Sequence, residues 1–322
     1  MWSRHNGSIG VLDSCVQTKG GDEAMQEPLH KPVMLQEVLK FLEPKSGMTI
    51  VDATAGMGGH SLSLARELGT RGRLVVIDKD EESLDEAKNT LRSSPLACDF
   101  EHEDFRNLDK VLDRLGIEGV DSFLFDLGIS SYQMDSPQRG FSIRAEGPLD
   151  MRMDRTGFIS AYDLLNNLTE EEIASILWKF GQERFSRRIA RAIVRARQHS
   201  PITSTKELSD IIVKALPSKF RFHRIHPATR SFQALRIAVN RELDSLEEAL
   251  KKAALYLNRG GRICVISFHS LEDKIVKENF RELVKTERYR LLFKKVWRPS
   301  EEEVRENPRS RSARMRVIER LK

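Results

Sequence analysis

The 322-residue sequence contains only 3 cysteines, Cys15, Cys98 and Cys264, which are widely spaced and form no C-x-x-C pair. This spacing argues against a disulfide framework and against a cysteine-based zinc site, so a cytoplasmic setting is the simplest expectation. No apolar run approaches the roughly 18 residues that a membrane-spanning helix requires. The first 28 residues also lack the continuous apolar core of a signal peptide, and we interpret residues 1–28 as a flexible leader.

Charged residues are plentiful, at 31% of the chain, and hydrophobic residues make up 39%, a mixture typical of globular proteins. The length is sufficient for one large domain or two ordinary ones. The formal net charge of +5 indicates a polyanionic partner only weakly, because modest basicity is common. The position of the basic residues along the chain is therefore more informative than their sum.

The segment 50–60 (IVDATAGMGGH) has the pattern of a buried strand that ends in an acid, a glycine-rich turn and the start of a helix. Glycine permits positive φ angles and lets the backbone approach a ligand closely. The N–H groups at the start of the following helix face such a ligand with a favourable dipole. This segment predicts a nucleotide or nucleoside cofactor at the carboxyl edge of a parallel sheet.

The spacing in this loop also distinguishes between cofactors. The dinucleotide fingerprint G-x-G-x-x-G would need a third glycine at Ser61, whereas D-x-x-x-G-x-G-G is typical of S-adenosylmethionine methyltransferases. A second apolar strand ends at Asp78, about 20 residues past the loop, where an acid suits the ribose hydroxyls. Two structural alternatives remain: a plain glycine turn, and Asp78 as a helix cap, although Asp80 is the better cap candidate.

Apolar segments with strand character alternate with segments of helical periodicity in the first half of the chain. The strands are predicted at 50–52, 73–77, about 99–102 and 120–125, and a further strand at 261–268. This alternation predicts a doubly wound, Rossmann-like α/β sheet. Residues 136–240 have helical patterns only. We therefore predict a sheet domain of residues 29–135 and 241–322 that carries an all-helical insertion of residues 136–240.

The predicted insertion holds the sharpest charge asymmetry of the chain. Arg184, Arg188, Arg191 and Arg195 have the spacing i, i+4, i+7 and i+11, which is one stripe of a single helix. A solvated charged face usually mixes signs, whereas this stripe is all arginine, whose planar fork suits phosphate oxygens. It predicts contact with nucleic acid.

A second basic cluster, Arg309, Arg311, Arg314 and Arg316, follows Pro308. For this cluster a flexible or edge-strand tail is nearly as good an interpretation as an RNA contact.

Several longer motifs resemble those of the bacterial ribosomal RNA small-subunit methyltransferase H family, also called MraW. They run in order along the chain from about residue 30 to the end. The motifs are 126–131 (DLGISS), 139–142 (RGFS), 147–154 (GPLDMRMD), 226–230 (HPATR), 232–237 (FQALRI), 267–273 (SFHSLED) and 307–312 (NPRSRS).

The resemblance implies transfer of a methyl group from S-adenosylmethionine to the exocyclic N4 of a cytidine in the decoding region of small-subunit (16S) rRNA. It implies the fold predicted above, a methyltransferase sheet domain with a helical insertion. It also implies cofactor contacts at Gly58, Gly59, His60, Asp78, Phe105, Asp126 and Gln133. The oligomeric state is not readable from the sequence.

The expected chemistry needs alignment and a polar acceptor for the amino protons more than a strong base. Asp126 is the candidate for positioning the amine, with the turn at Ser130 and Ser131 beside it. Tyr132 or Phe268 could supply stacking for the base. His269 is a weaker candidate for a general base, because a histidine after a strand is more often structural.

Asp150 and Asp154 have the appearance of a metal or acid/base pair. Because Arg152 lies between them, we expect an ion-paired loop there and predict no obligatory metal.

Three other functions remain open at this stage. A DNA amino-methyltransferase would carry two prolines after Asp126, where this chain has Leu127 and Gly128. A cofactor-sensing RNA-binding protein without turnover would share the same binding residues. An NAD-dependent oxidoreductase is disfavoured by Ser61 and by the lack of a convincing hydride-transfer base.

Overall fold

The computed structural model describes residues 31–221 and 225–321. The predicted leader, residues 1–28, lies outside the described residues. The first half of the chain alternates helices and strands as the periodicity predicts. These elements are α1 (Leu35–Leu42), β1 (Thr49–Asp52), α2 (Gly59–Leu68), β2 (Arg73–Asp78), α3 (Glu81–Leu91), β3 (Cys98–His102), α4 (Leu108–Arg114) and β4 (Val120–Asp126).

Beyond β4 the structure becomes helical and then returns to the sheet. The helices that follow are α5 (Ser131–Asp135), α6 (Ala161–Asn167), α7 (Glu170–Gly181), α8 (Ser186–Arg197), α9 (Thr205–Ala215) and α10 (Thr229–Asn240). The remaining elements are α11 (Glu242–Tyr256), β5 (Leu257–Ser267), α12 (Ser270–Lys285), β6 (Tyr289–Leu291), α13 (Glu301–Glu306) and β7 (Arg314–Arg320). Among the described residues no helix combines the length and apolarity needed to cross a membrane.

The seven strands form one sheet in the order β3-β2-β1-β4-β5-β7-β6. Strands β1 to β5 are parallel to one another, and β7 is antiparallel to both β5 and β6. Successive side chains alternate between two apolar clusters, so that Val75 and Ile77 pack with α4, α11 and α12, while Leu74 and Val76 pack with α1, α2 and α3. Helices therefore cover both faces, which confirms the predicted doubly wound α/β fold.

The C-terminal tail is neither flexible nor an edge strand, so that sequence interpretation was wrong. Strand β7 is paired on both sides, by β5 and by β6, and its Met315 and Val317 are buried. Arg314 and Arg316 both pair with Asp273 on α12, at 3.6 Å and 2.7 Å. Sequence reasoning missed α12. It also missed the β6–β7 pair, because the polar residues of these strands hide the alternation of apolar side chains.

The helices from α6 to α10 enclose an apolar cluster of their own, which includes Leu165, Leu177, Ile193 and Leu235. Hydroxyl caps mark the starts of α6, α7 and α9; Thr169, for example, forms a capping box with Glu172 at the start of α7. The division into two domains, with an insertion of residues 136–240, stays a prediction that the separate cluster supports.

Arg184 does not belong to the predicted arginine stripe of a single helix. Helix α7 ends at Gly181 with Gln182 in the left-handed conformation, and α8 begins only at Ser186. The Arg184 guanidinium instead lies over the rings of Phe220, at 4.0 Å from the centroid, and Phe185, at 4.8 Å. Stacking on two aromatic rings holds this side chain outside the helix.

Candidate active site

The glycine-rich loop after β1 is fixed by hydrogen bonds from its two ends. The buried Asp52 carboxylate accepts from the Ser61 hydroxyl at 2.6 Å and from the Thr54 N–H at 3.2 Å. Gly56, at φ +52°, donates its N–H to Asp78 at 2.8 Å. Gly58 has φ +80°, and a Cβ there would lie 2.9 Å from the Ala87 Cα. Both its conformation and its packing therefore require glycine.

Gly59 begins α2 and explains a contact that the sequence did not reveal. A Cβ at Gly59 would lie 2.5 Å from the Pro32 Cγ, so the chain before α1 crosses directly over the loop. Pro32 and Val33 consequently reach the same cavity as the loop. No local pattern could have indicated this contact, because Pro32 precedes the first strand.

A cavity of about 540 Å³ opens at the carboxyl ends of β1, β2 and β4. In the sheet β1 lies between β2 and β4, which is the switch point where open α/β sheets bind ligands. The volume is in the range of small-molecule sites. Five of the predicted cofactor residues line this cofactor cavity: Gly59, Asp78, Phe105, Asp126 and Gln133. Gly58 and His60 do not line it.

Asp78 follows β2 and has unusual electrostatics. Burial raises the pKa of its carboxyl to about 6, although N–H groups of Asp80 and Gly56 donate to its two oxygens at 2.9 Å and 2.8 Å. Each oxygen keeps a second lone pair, so the carboxylate can still accept from ribose hydroxyls. The predicted cap at Asp80 is confirmed, because its side chain accepts from the Glu82 N–H.

Phe105 and Gln133 line the cofactor cavity in different ways. The Phe105 ring meets Phe125 edge-on, at 5.9 Å between centroids, and this packing fixes its orientation for contact with a flat heterocycle. The Gln133 amide is already engaged: it accepts from the Ser130 N–H at 2.9 Å and donates to Asp80. Gln133 therefore holds the start of α5 against the cavity. A backbone-lined pocket with a ribose acceptor and an aromatic ring fits an adenosine-type cofactor.

Asp126 ends β4 at the floor of the cofactor cavity. Its N–H donates to the Thr54 hydroxyl at 2.6 Å, which joins the ends of β1 and β4. The imidazole of His60 lies beside the Asp126 carboxylate, with Nε2 3.4 Å from Oδ2. This distance allows an ion pair, but the geometry gives no hydrogen bond within the described residues, where both ring nitrogens and Asp126 Oδ1 lack one.

Two aromatic side chains, Tyr132 and Phe268, also line the cofactor cavity, as the stacking hypothesis requires. Gly128, at φ +107°, lies next to Phe268, and a Cβ there would lie 3.7 Å from that ring. Ser130 is occupied as the cap of α5, since its hydroxyl accepts from the Gln133 N–H. Ser131, Tyr132 and Phe268 therefore remain available for contact with a substrate.

His269 occupies a structural position at the start of α12. Its Nδ1 accepts from the Glu272 N–H at 3.3 Å, and its Nε2 lies 3.1 Å from the Glu272 carboxylate. Burial alone would raise the pKa of Glu272, but His269, Arg236 and backbone N–H donation outweigh it and lower that pKa. Histidine as a helix cap accounts for this residue without a catalytic role.

Glu242, His269 and Glu272 also bring ligand atoms within 4.8 Å of one another, a geometry that a metal ion could use. Arg236 already donates to both Glu242 oxygens, at 2.9 Å and 2.8 Å. The guanidinium supplies the positive charge that a metal would bring, so these residues form an ion-pair network.

The Asp150–Arg152 pair confirms the predicted ion-paired loop. The Arg152 guanidinium donates to both Asp150 oxygens at 2.7 Å and to the Gly157 carbonyl at 2.6 Å. Asp154 is separate and accepts from the N–H and hydroxyl of Thr156.

Sequence reasoning missed several residues that line the cofactor cavity, notably Thr54, Lys79 and Met153, and did not place Arg309 there. The basic cluster at the C-terminus did single out Arg309. Its guanidinium donates to both oxygens of Asp135, at 2.8 Å each, and so links the last turn before β7 to the end of α5. For Met153 the loop context gave no signal.

The remaining members of the arginine stripe lie on α8 with exposed side chains. Arg188, Arg191 and Arg195 face solvent, while Ile189, Ala190 and Ile193 are buried on the opposite side. Arg191 pairs with Glu170 at 3.2 Å, an exposed contact that contributes little to stability. We call Arg188, Arg191 and Arg195 the α8 arginine surface.

Comparisons with known proteins identify relatives of this chain. Ribosomal RNA small subunit methyltransferase H from Halothermothrix orenii is 43% identical over 91% of this chain and 98% of its own. The protein of that name from a Geobacter strain is 44% identical over 92% of this chain and 100% of its own. The crystal structure of an rRNA methylase from Streptococcus thermophilus, 12% identical, covers 92% of this chain and 100% of its own with a TM-score of 0.43, which adds nothing to the fold described above.

The model of the MraW methylase family matches residues 27–321, almost the whole chain. Together with the two relatives, this match confirms the resemblance found in the motifs and identifies the activity and its methyl donor. The chain belongs to the MraW methylase family and is an S-adenosylmethionine-dependent methyltransferase.

Proposed function

We propose that this methyltransferase transfers a methyl group to the exocyclic N4 of a cytidine in the decoding region of small-subunit rRNA. The observation that carries the proposal is the Asp126 carboxylate, which lines the cofactor cavity and whose Oδ1 has no hydrogen-bond partner among the described residues. An acceptor of this kind suits an amino group that must give up a proton. The relatives named ribosomal RNA small subunit methyltransferase H support the substrate class.

The chemistry asks little more of the protein than alignment. S-Adenosylmethionine supplies an already activated methyl group, whereas the cytosine amine is a poor nucleophile because its lone pair is delocalised into the ring. Asp126 accepts a hydrogen bond from the amine, which localises that lone pair and turns it toward the methyl group. The same carboxylate then receives the proton that the methylated amine releases.

The base must be unstacked from the folded RNA before it can reach this carboxylate. Tyr132 and Phe268, both at the cofactor cavity, are the side chains that can stack on it. Gly128 lies beside Phe268, and its φ of +107° favours glycine at this position. These residues take the place of the proline-flanked aromatic of DNA amino-methyltransferases.

The α8 arginine surface is the proposed contact for the RNA backbone. Arg188, Arg191 and Arg195 are exposed, and the side chain of Arg191 is 59% accessible in spite of its ion pair. Arginine on a rigid helix can hold phosphates while the target base turns outward. Arg184, stacked on Phe185 and Phe220, adds a cation and two rings close to the start of this surface.

The test is methyl transfer from labelled S-adenosylmethionine to small ribosomal subunits isolated from a strain that lacks this gene. The RNA is digested to nucleosides and analysed by mass spectrometry. Labelled N4-methylcytidine in the decoding region is the expected result. Label in another nucleoside, label on DNA substrates only, or no label in spite of cofactor binding by calorimetry would each overturn the proposal.

A further inference from the structure

His60 is a buried histidine that does not line the cofactor cavity, although its neighbour Gly59 does. It is 6% exposed and lies in the first turn of α2, directly behind the glycine loop. Neither ring nitrogen has a hydrogen-bond partner among the described residues. A buried imidazole without hydrogen bonds is costly, so its position needs an explanation.

The explanation lies in the charges around the ring. Three carboxyl groups on three different elements face His60: Asp52 on β1, Asp126 on β4 and Glu303 on α13. Ser61, the neighbour of His60, donates to Asp52 and Met34 donates its N–H to Glu303 at 2.6 Å, so both of these carboxyl groups have partners. Asp126 Oδ2, at 3.4 Å from Nε2, is the one that the imidazole itself must balance.

The same surroundings favour a charged ring. Burial by itself lowers the pKa of His60, but Asp126 and Asp52, with a smaller contribution from Glu303, outweigh it and raise that pKa above the ordinary value of 6.5. His60 is therefore protonated more readily than an ordinary histidine, beside the Asp126 carboxylate.

We propose that His60 is a positioning residue of methyl transfer: its imidazole, 3.4 Å from the Asp126 carboxylate, holds that carboxylate in the orientation that accepts from the substrate amine. This inference rests on the proposed function for the role of the amine. It assigns His60 a different task from that of the loop glycines, which bring the backbone close to the ligand.

The first test needs no substrate. Histidine labelled with ¹³C at Cε1 is titrated by NMR in the wild-type protein and in Asp126→Asn, with His60→Gln to assign the resonance. We expect the His60 midpoint to move to lower pH in Asp126→Asn, while the resonance of the exposed His102 is the same in both proteins. An identical His60 titration in the two proteins would overturn the pairing.

The second test separates positioning from cofactor contact. We expect His60→Gln to lower the single-turnover rate by about tenfold or more, within the range of general acid–base effects, and to leave the dissociation constant for S-adenosylmethionine within about twofold. His102→Gln is the matched control and should leave both quantities unchanged. A tenfold weaker cofactor affinity in His60→Gln would instead identify a direct contact and sink the assignment.

The double variant His60→Gln/Asp126→Asn gives the sharpest comparison, because a residue that acts only through Asp126 has nothing left to position. It should be no slower than Asp126→Asn alone; rates that fall by the product of the single effects would contradict the inference. Urea unfolding verifies that each variant is folded. If His60→Gln is not folded, His60→Asn takes its place. If the wild-type protein transfers no methyl to ribosomal subunits, the proposed function fails, while the NMR titration and calorimetry still decide the pairing.

Discussion

At two places along the carboxyl edge of the parallel sheet a histidine lies beside a carboxylate, and the two pairs differ in their hydrogen bonds. At the end of β5, His269 and Glu272 are tied into the start of α12: Glu272 accepts from the N–H groups of Phe268 and His269, and His269 accepts from the Glu272 N–H. At the ends of β1 and β4, His60 and Asp126 lie 3.4 Å apart without a hydrogen bond between them.

The difference shows where the protein keeps polar groups available. The Glu272 carboxylate is held by backbone donors and by the facing cations and does not line the cofactor cavity, whereas Asp126 lines that cavity and can accept a new hydrogen bond there. Distance alone would select the wrong pair, because the His269–Glu272 separation of 3.1 Å is the shorter one. The hydrogen-bond partners of each residue, and the cavity that only Asp126 lines, assign one pair to chemistry and the other to stability.

Asp126→Asn should produce the largest effect on activity. The amide keeps the size of the side chain but accepts a proton far less readily, so we expect the single-turnover rate to fall by roughly 100-fold or more. Rapid-quench measurement of labelled methyl transfer gives the rate. The matched control is Asp121→Asn. Asp121 lies at the opposite end of β4 and accepts from the Thr49 N–H and from the side-chain amide of Asn258. An equal loss of rate in both variants would place the effect in the strand and not in the carboxylate.

Glu272→Gln should affect the fold and leave chemistry nearly unchanged. The substitution removes the charge that faces His269 and Arg236 and weakens acceptance from two backbone N–H groups at a buried position. We expect the free energy of unfolding to fall by about 2 kcal/mol, measured by urea denaturation. Glu278→Gln, exposed on the same helix, should change it little. A rate loss in folded Glu272→Gln comparable to that of Asp126→Asn would remove the distinction between the two ends.

The α8 arginine surface adds a third case to the comparison, in which the charged side chains are exposed. The charge-reversal pair Arg188→Glu/Arg191→Glu should weaken RNA binding by roughly tenfold. It should also reduce the slope of the logarithm of the binding constant against the logarithm of salt concentration by about the contribution of two phosphate contacts. Cofactor affinity should stay the same, because these exposed side chains lie outside the cofactor cavity. Filter binding at several salt concentrations measures both quantities, with Lys274→Glu/Lys285→Glu on α12 as the charge-matched control. Equal loss of RNA and cofactor binding would indicate misfolding.

Local patterns in the sequence predicted the parts of the molecule that depend on local physics. Strand β1, the glycine loop and the acid at Asp78 follow from alternation and from the backbone needs of a tight turn. Five of the seven cofactor residues that the family resemblance implied line one cavity. The cap at Asp80 and the Asp150–Arg152 pair are local as well, and both were predicted correctly.

What the sequence could not predict depends on contacts between distant segments. Pro32 and Arg309 reach the cofactor cavity from opposite ends of the described chain. The β6–β7 pair and the stacking of Arg184 on Phe220 are likewise long-range. His60 belongs to the same class: its motif predicted a cofactor contact, whereas its burial against Asp126 emerges only when β1, β4 and α13 are assembled around it.

The smallest predicted effect compares two carboxylates, Asp78 and Glu272, that each accept two backbone N–H groups. Only Glu272 also faces cations that outweigh burial, so its pKa is lowered while that of Asp78 is raised to about 6. Asp78 is therefore ionised above pH 6 and becomes protonated as the pH falls through that value. If its carboxylate accepts from the cofactor ribose, affinity for S-adenosylmethionine should be greatest above pH 6 and about fivefold weaker at pH 5, because hydrogen bonds to charged groups are the stronger ones.

Calorimetry between pH 5 and 7.5, in buffers of different ionisation enthalpy, tests this linkage and should detect proton release on binding near pH 6. Asp78→Asn should bind more weakly at all pH values and lack the dependence in this window, whereas Glu272→Gln should keep it. A pH-independent affinity in the wild-type protein would mean that Asp78 serves the Gly56 turn alone. In that case the end of β2 would resemble the end of β5, and among the acids predicted for the cofactor only Asp126 would remain available to a ligand.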